Sequence, residues 1–265
     1  MFAAALLTLV QLADTAPGPA LPHTLAEDRL SVCMDHARND PTSAITEASG
    51  WAAERSDEDR SYPQQCLGMA YTALLRWDAA ERAFLSAREA APADNHFRRA
   101  QLAGMAANAD LAQGNGAAAQ LALDLALADA QATGDPALQA IVQVDRARAL
   151  VQQGDTAQAD AALTQARTLD PQSPYAWLLS ATLSRRLGKL DEAQAQIQTA
   201  VSLAPDYPES GLEAGVISML RGNEDAAAQS WRSVIALEPN GDSAATARAY
   251  LAQLDQPAAP APTGR

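Results

Sequence analysis

Aromatic residues make up only 5% of this 265-residue chain, lysine occurs once, at Lys189, and there are two cysteines. Alanine, by contrast, supplies about a quarter of the residues. It has the strongest helix propensity and the smallest side chain that can be buried, so the composition predicts thin, closely packed helices and excludes a β-sandwich or barrel. Positive charge is also short: 19 basic residues stand against 32 acidic ones, for a net charge of −13 and a pI near 4.5. An anionic surface of this kind is repelled by phosphate backbones, which argues against nucleic acid as a partner. The basic residues are almost all arginine, which favours planar, bidentate contacts.

Long apolar runs are missing as well. Phe2 to Leu12 is apolar but falls short of the ~20 residues needed to span a bilayer. It suits the h-region of a secretory signal, and the small residues Ala13, Thr15, Ala16, Gly18 and Ala20 behind it offer cleavage points. Residues 1–20 are therefore expected to be a signal peptide, and the mature protein to be periplasmic or secreted and bacterial. No cysteine follows closely enough for lipid modification, and no membrane span is predicted.

Chemistry-bearing motifs are equally scarce. Two cysteines allow one disulfide, and neither sits in a Cys-x-x-Cys redox or haem-attachment motif. Cys33 and His36 leave a zinc site short of ligands, with His23 and His96 in unrelated contexts, so no metal and no cofactor is expected. There is no Gly-x-Ser-x-Gly, no phosphate-cradling loop and no His-Glu-x-x-His; Gly114-Asn115-Gly116 reads as a turn between helices. Asp94, Asp155, Asp191 and Asp225 fall near predicted helix starts, where a carboxylate meets free backbone N–H groups. Asp57, Glu58 and Asp59 read as a solvated loop, and Trp51, Trp77, Trp177 and Trp231 as packing residues. No catalytic residues are predicted, and the chain is not expected to be an enzyme.

What the sequence does contain is a period. Pro171, Pro205 and Pro239 are 34 residues apart, and the same shift superposes Gly154, Gly188 and Gly222, then Ala159, Ala193 and Ala227, then Leu169, Leu203 and Leu237. A glycine in the middle of such a unit and a proline at its end predict helix, tight turn, helix, stop. Further copies are looser. One, at residues 61–94, carries Leu67, Gly68, Tyr71, Ala80, Phe84, Ala87 and Pro92, with Leu75 in the place of the turn glycine, so its turn is expected to be wound differently. Another starts near Ala100, with a second helix that runs on and extra residues around Gly134. The copy from Glu27 to Arg60 is the most degenerate, broken at Asp40-Pro41.

These columns resemble the tetratricopeptide repeat family, whose pattern is Trp-x2-Leu-Gly-x2-Tyr, then Ala-x3-Phe, then Pro. The resemblance implies an all-α, right-handed superhelical solenoid over residues 24–255, of about six helix-turn-helix units and a capping helix from Ser243. A Pro/Ala-rich tail follows at 256–265 and is expected to be disordered. Cys33 and Cys66 fall at nearly equivalent places in the first helices of adjacent units. They are expected to form a disulfide worth roughly 3 to 4 kcal/mol, the alternative being two buried thiols.

In this family the face of each first helix opposite its core lines a concave groove that binds partners. Positions 2, 5, 9, 12 and 13 lie on that face. Here they supply Tyr62, Gln65, Met69 and Thr72, then Asn108 and Leu111, then Ile141, Val144, Arg148 and Val151. The last two units add Tyr175, Leu178, Thr182, Arg185 and Arg186, then Leu212, Val216 and Met219. Position 5 is never lysine, so the clamp used by family members that hold chaperone C-termini is not supported. The resemblance implies a non-catalytic interaction scaffold whose partner is a protein or peptide segment with apolar and acidic residues. A self-assembling structural protein and an accessory subunit of an envelope assembly or maturation machine are the alternatives.

Overall fold

The computed structural model describes residues 24–54 and 60–254, and every regular element among them is an α-helix. The predicted signal peptide, the acidic run Asp57 to Asp59 and the tail at 256–265 lie outside the described residues. The first two pairs are α1 (Leu25–Asn39) with α2 (Pro41–Glu54) and α3 (Ser61–Ala73) with α4 (Trp77–Ala90). Next come α5 (His96–Ala112) with α6 (Gly116–Thr133) and α7 (Pro136–Gln152) with α8 (Thr156–Leu169). The stack ends with α9 (Pro174–Arg186) and α10 (Leu190–Leu203), α11 (Pro208–Leu220) and α12 (Glu224–Leu237), and the single helix α13 (Asp242–Leu254).

Helix ends are set where the sequence supplies the missing hydrogen-bond partners. Thr24 and Glu27 form a capping box on α1, and Asn95, Asn115, Asp135, Asp155, Ser173 and Asn223 accept from free N–H groups at later helix starts. Four turns within pairs pass through a left-handed residue, Gly114, Gly154, Gly188 or Gly222. The turn between α3 and α4 is wound the same way through Leu75, at φ 56°, rather than differently. Gly134, also left-handed, ends the lengthened α6.

Each helix packs on its neighbours in sequence, and odd-numbered helices also touch one another, α1 on α3, and α5, α7, α9, α11 and α13 in succession, while Arg98 of α5 reaches α3 by donating to the Ser61 hydroxyl. The pair α3/α4 makes no interface with α11/α12, so units meet only near neighbours, as a solenoid requires. The core is a row of small residues facing one larger one. Gly68 lies against Phe84 and Gly215 against Trp231, so closely that a Cβ on either glycine would collide with the ring. Where the larger residue is Leu123, Leu163 or Ile197, the matching position is Ala107, Ala147 or Ala181, each buried. Trp51 and Trp231 are buried, while Trp177 donates from Nε1 to the Pro171 carbonyl at 2.9 Å, so these three act as packing residues. Cys33 and Cys66 are fully buried and meet in bonded geometry, with Cα atoms 6.0 Å apart, linking α1 to α3.

Candidate binding groove

Helices α7, α9, α11 and α13 present one face each to a groove made of three adjoining clefts. The first, 170 Å³, lies between α7 and α9 and is lined by Arg148, Val151, Leu179, Thr182 and Arg186 among others. The second, 380 Å³, shares Leu179 and Thr182 with the first and adds Tyr175, Arg185, Tyr207, Glu209, Leu212, Glu213 and Tyr250. The third, 260 Å³, shares Val216 and Tyr250 with the second and reaches Met219, Trp231 and Leu254. Shared walls make the three one continuous, largely apolar channel.

Of the residues expected to line the groove, Arg148, Tyr175, Arg185, Arg186, Leu212, Val216 and Met219 are brought together there. Val144 is not. It is 4% exposed and packs with Ala140 and Ala147 against Ala176 and Leu183 of α9. Leu178, 6% exposed, packs with Ile217 of α11, and only its edge reaches the floor of the second cleft. Gln65 and Leu111 are buried as well. For Val144 and Leu178 the cause is geometric: position 5 faces the next odd helix, which closes over it. Tyr62, Met69, Asn108 and Ile141 lie outside the three clefts. Tyr62 is covered by the Arg98 guanidinium, 4.2 Å from its ring centroid, Met69 packs into the core, and Ile141 stands 60% exposed.

The arginines divide by their partners. Arg148 donates to Asp145 and to Asn108, both at 2.7 Å, and Asn108 in turn donates to Asp145 at 3.3 Å. Burial raises the Asp145 carboxyl above its ordinary range, against the pull of Arg148 and Asn108. Arg185 makes a bidentate pair with Glu213 of α11, at 2.6 and 3.3 Å. Only Arg186 reaches the groove with no ion pair among the described residues. Sequence reasoning missed Tyr207, Glu209, Glu213 and Tyr250. Glu213 follows Arg185 by 28 residues rather than by the 34-residue period, so a comparison of equivalent columns does not bring the two together.

The most strongly bonded polar cluster is elsewhere. Asp129 of α6 accepts from Arg88 at 2.6 and 3.0 Å, from His96 at 3.1 Å and from Arg99 at 3.4 Å. Burial opposes its ionisation, yet the hydrogen bonds from His96 and Arg88 and the charges of Arg88 and Arg99 win and hold it below the usual carboxylate range. A carboxylate so saturated is a tie between α4, α5 and α6, unsuited to proton transfer. Among the described residues no group of His, Cys, Asp and Glu is arranged to hold a metal ion.

Residues 150–214 match the tetratricopeptide repeat family profile. No curated protein sequence matches the chain. Among solved structures, PilW, a widely conserved type IV pilus biogenesis factor, is similar with a TM-score of 0.65 at 19% identity, over 85% of this chain and 99% of its own. Pseudomonas aeruginosa PilF gives 0.61 at 16% identity, over 85% of this chain and 97% of its own. A thermophilic tetratricopeptide protein of Thermus thermophilus gives 0.56 at 22% identity, over 72% of this chain and 99% of its own. At such identities the likeness speaks for the fold. With the repeat columns, the paired helices and the matched profile in agreement, residues 150–214 carry the tetratricopeptide repeat, and the described residues fold as an all-α solenoid like those structures.

Proposed function

We propose that this chain is a non-catalytic scaffold of the bacterial cell envelope that holds a partner segment in the groove of α7, α9, α11 and α13. The observation that carries the reading is the channel itself: three adjoining clefts with apolar walls, open to solvent along one face of the stack. Apolar anchors of the segment would be buried on Val151, Leu212, Val216 and Met219, and Arg186 would take a carboxylate. The envelope setting is supported by the apolar stretch Phe2 to Leu12 and agrees with the role of PilW as a pilus biogenesis factor. An oxidised Cys33 and Cys66 pair belongs to the same reading.

The test is capture of partners from envelope extract with the full chain and two variants. Val216→Glu places a charge on the groove wall and is expected to weaken capture at least tenfold, roughly 1.4 kcal/mol or more, with helix content unchanged by circular dichroism. Leu121→Glu, on the outer surface of α6, is expected to leave capture intact. The reverse pattern would move the interaction to the outer surface.

A second reading, self-association, is favoured by one feature: Leu121 and Leu125 stand 71% and 41% exposed, one turn apart on α6. Mass in solution decides it. A concentration-dependent dimer abolished by Leu121→Glu supports this alternative.

A further inference from the structure

The middle cleft of the groove has a chemistry that the outer two lack. Three tyrosines, Tyr175, Tyr207 and Tyr250, line it from α9, the α11 N-cap and α13. It also holds two carboxylates against one guanidinium. Arg185 and Glu213 satisfy each other, which leaves Glu209 as the uncompensated charge of the cleft. Glu209 is exposed, and among the described residues its one hydrogen-bond donor is the neutral Ser243 hydroxyl at 3.4 Å.

The electrostatics of the cleft agree. The Tyr207 phenol is pushed above its ordinary value by burial first, then by the charge of Glu209 and by Tyr175. A negative field therefore bears on the cleft wall, in a molecule whose net charge is already −13. Aromatic faces beside an unpaired carboxylate attract a cation through both ring quadrupole and charge.

Resting on the groove reading above, we infer that the middle cleft receives a lysine or arginine side chain of the partner segment, with Glu209 as counter-charge and Tyr175, Tyr207 and Tyr250 as its aromatic walls. The partner is thus not simply acidic. It carries a cation for this cleft and a carboxylate for Arg186. These two sites lie at opposite ends of α9, about 16 Å apart at 1.5 Å per residue. A segment with that charge asymmetry can enter the groove in only one orientation.

A random 12-residue peptide library, selected on the full chain, tests this. The wild-type chain is expected to enrich lysine or arginine in its binders. Glu209→Gln, which keeps the shape and the hydrogen bond from Ser243, is expected to abolish the enrichment and to weaken selected peptides at least fivefold. Glu224→Gln removes the same charge from the first turn of α12, outside the groove, and should change affinity less than twofold. Tyr175→Leu, which removes an aromatic wall, should weaken binding severalfold. Equal losses in Glu209→Gln and Glu224→Gln would mean general attraction to an acidic protein and overturn the inference while leaving the groove reading intact. Peptide binding that is indifferent to Val216→Glu, or no selected binders at all, would overturn both.

Discussion

At the scale of single residues, two positions stand out by their cost. Leu75 is the one non-glycine residue among those described with positive φ, and its side chain is largely exposed. A branched side chain in the left-handed region costs on the order of 1 to 2 kcal/mol, and a side chain 68% exposed gains little from burial to offset it. Leu75→Gly is expected to stabilise the fold by about 1 kcal/mol, read as a higher denaturation midpoint with unchanged slope. Asp129 is the opposite case, a buried carboxylate that holds Arg88 and Arg99 in place. Asp129→Asn leaves two partly buried cations without a counter-charge and should cost about 3 to 5 kcal/mol. Its pH dependence has a definite sign. Because the folded carboxyl is held below its unfolded value of about 3.9, its contribution is present in full above that value and is lost as pH falls through the lowered folded one. Acid unfolding of the wild type should therefore be steeper than that of the Asn variant.

At the scale of helices, the pairing of a glycine with an aromatic ring is the most specific packing rule in the chain. Gly215→Ala forces a methyl group into the Trp231 ring and is expected to destabilise by about 1 to 3 kcal/mol. Trp231→Leu alone leaves a void and loses the indole hydrogen bond to the Leu212 carbonyl. Made together, the two changes recreate the Ala147 and Leu163 arrangement two units before. The double variant should then be more stable than the sum of the single effects by roughly 1 kcal/mol or more, measured by denaturant unfolding of all four proteins. The units themselves are legible in the sequence because Gly154, Gly188 and Gly222 and the prolines behind them recur at one spacing. Leu75 misleads because its residue type speaks against a left-handed turn, whereas the period, which places a turn there, is the better guide. Val144 and Leu178 mislead for another reason: a helical wheel assigns faces within one helix and carries no information on how closely the next odd helix approaches. Ion pairs such as Arg185 with Glu213 are invisible to a comparison of equivalent columns, since they join different columns of successive units.

At the scale of the whole molecule, the two ends of the stack are held differently. At one end the Cys33 and Cys66 pair ties α1 to α3 across the most degenerate unit. At the other, α13 packs chiefly on α11 and α12 among the described residues. In an array whose units touch only their neighbours, opening begins at an end and spreads inward. The array should therefore unzip with a direction. Amide hydrogen exchange is expected to be fastest in α13 and slower toward α3 under oxidising conditions. Reductant should speed exchange in α1 and α2 while leaving α9 to α12 unchanged; a uniform response along the chain would contradict nearest-neighbour stability. Since α13 contributes Tyr250 and Leu254 to two of the clefts, the groove has as its last wall the helix most prone to peel away. Peeling would destroy the pocket before the rest of the fold is disturbed, so occupancy and end-fraying compete for the same helix, and a bound segment would act as the terminal clamp that α13 lacks.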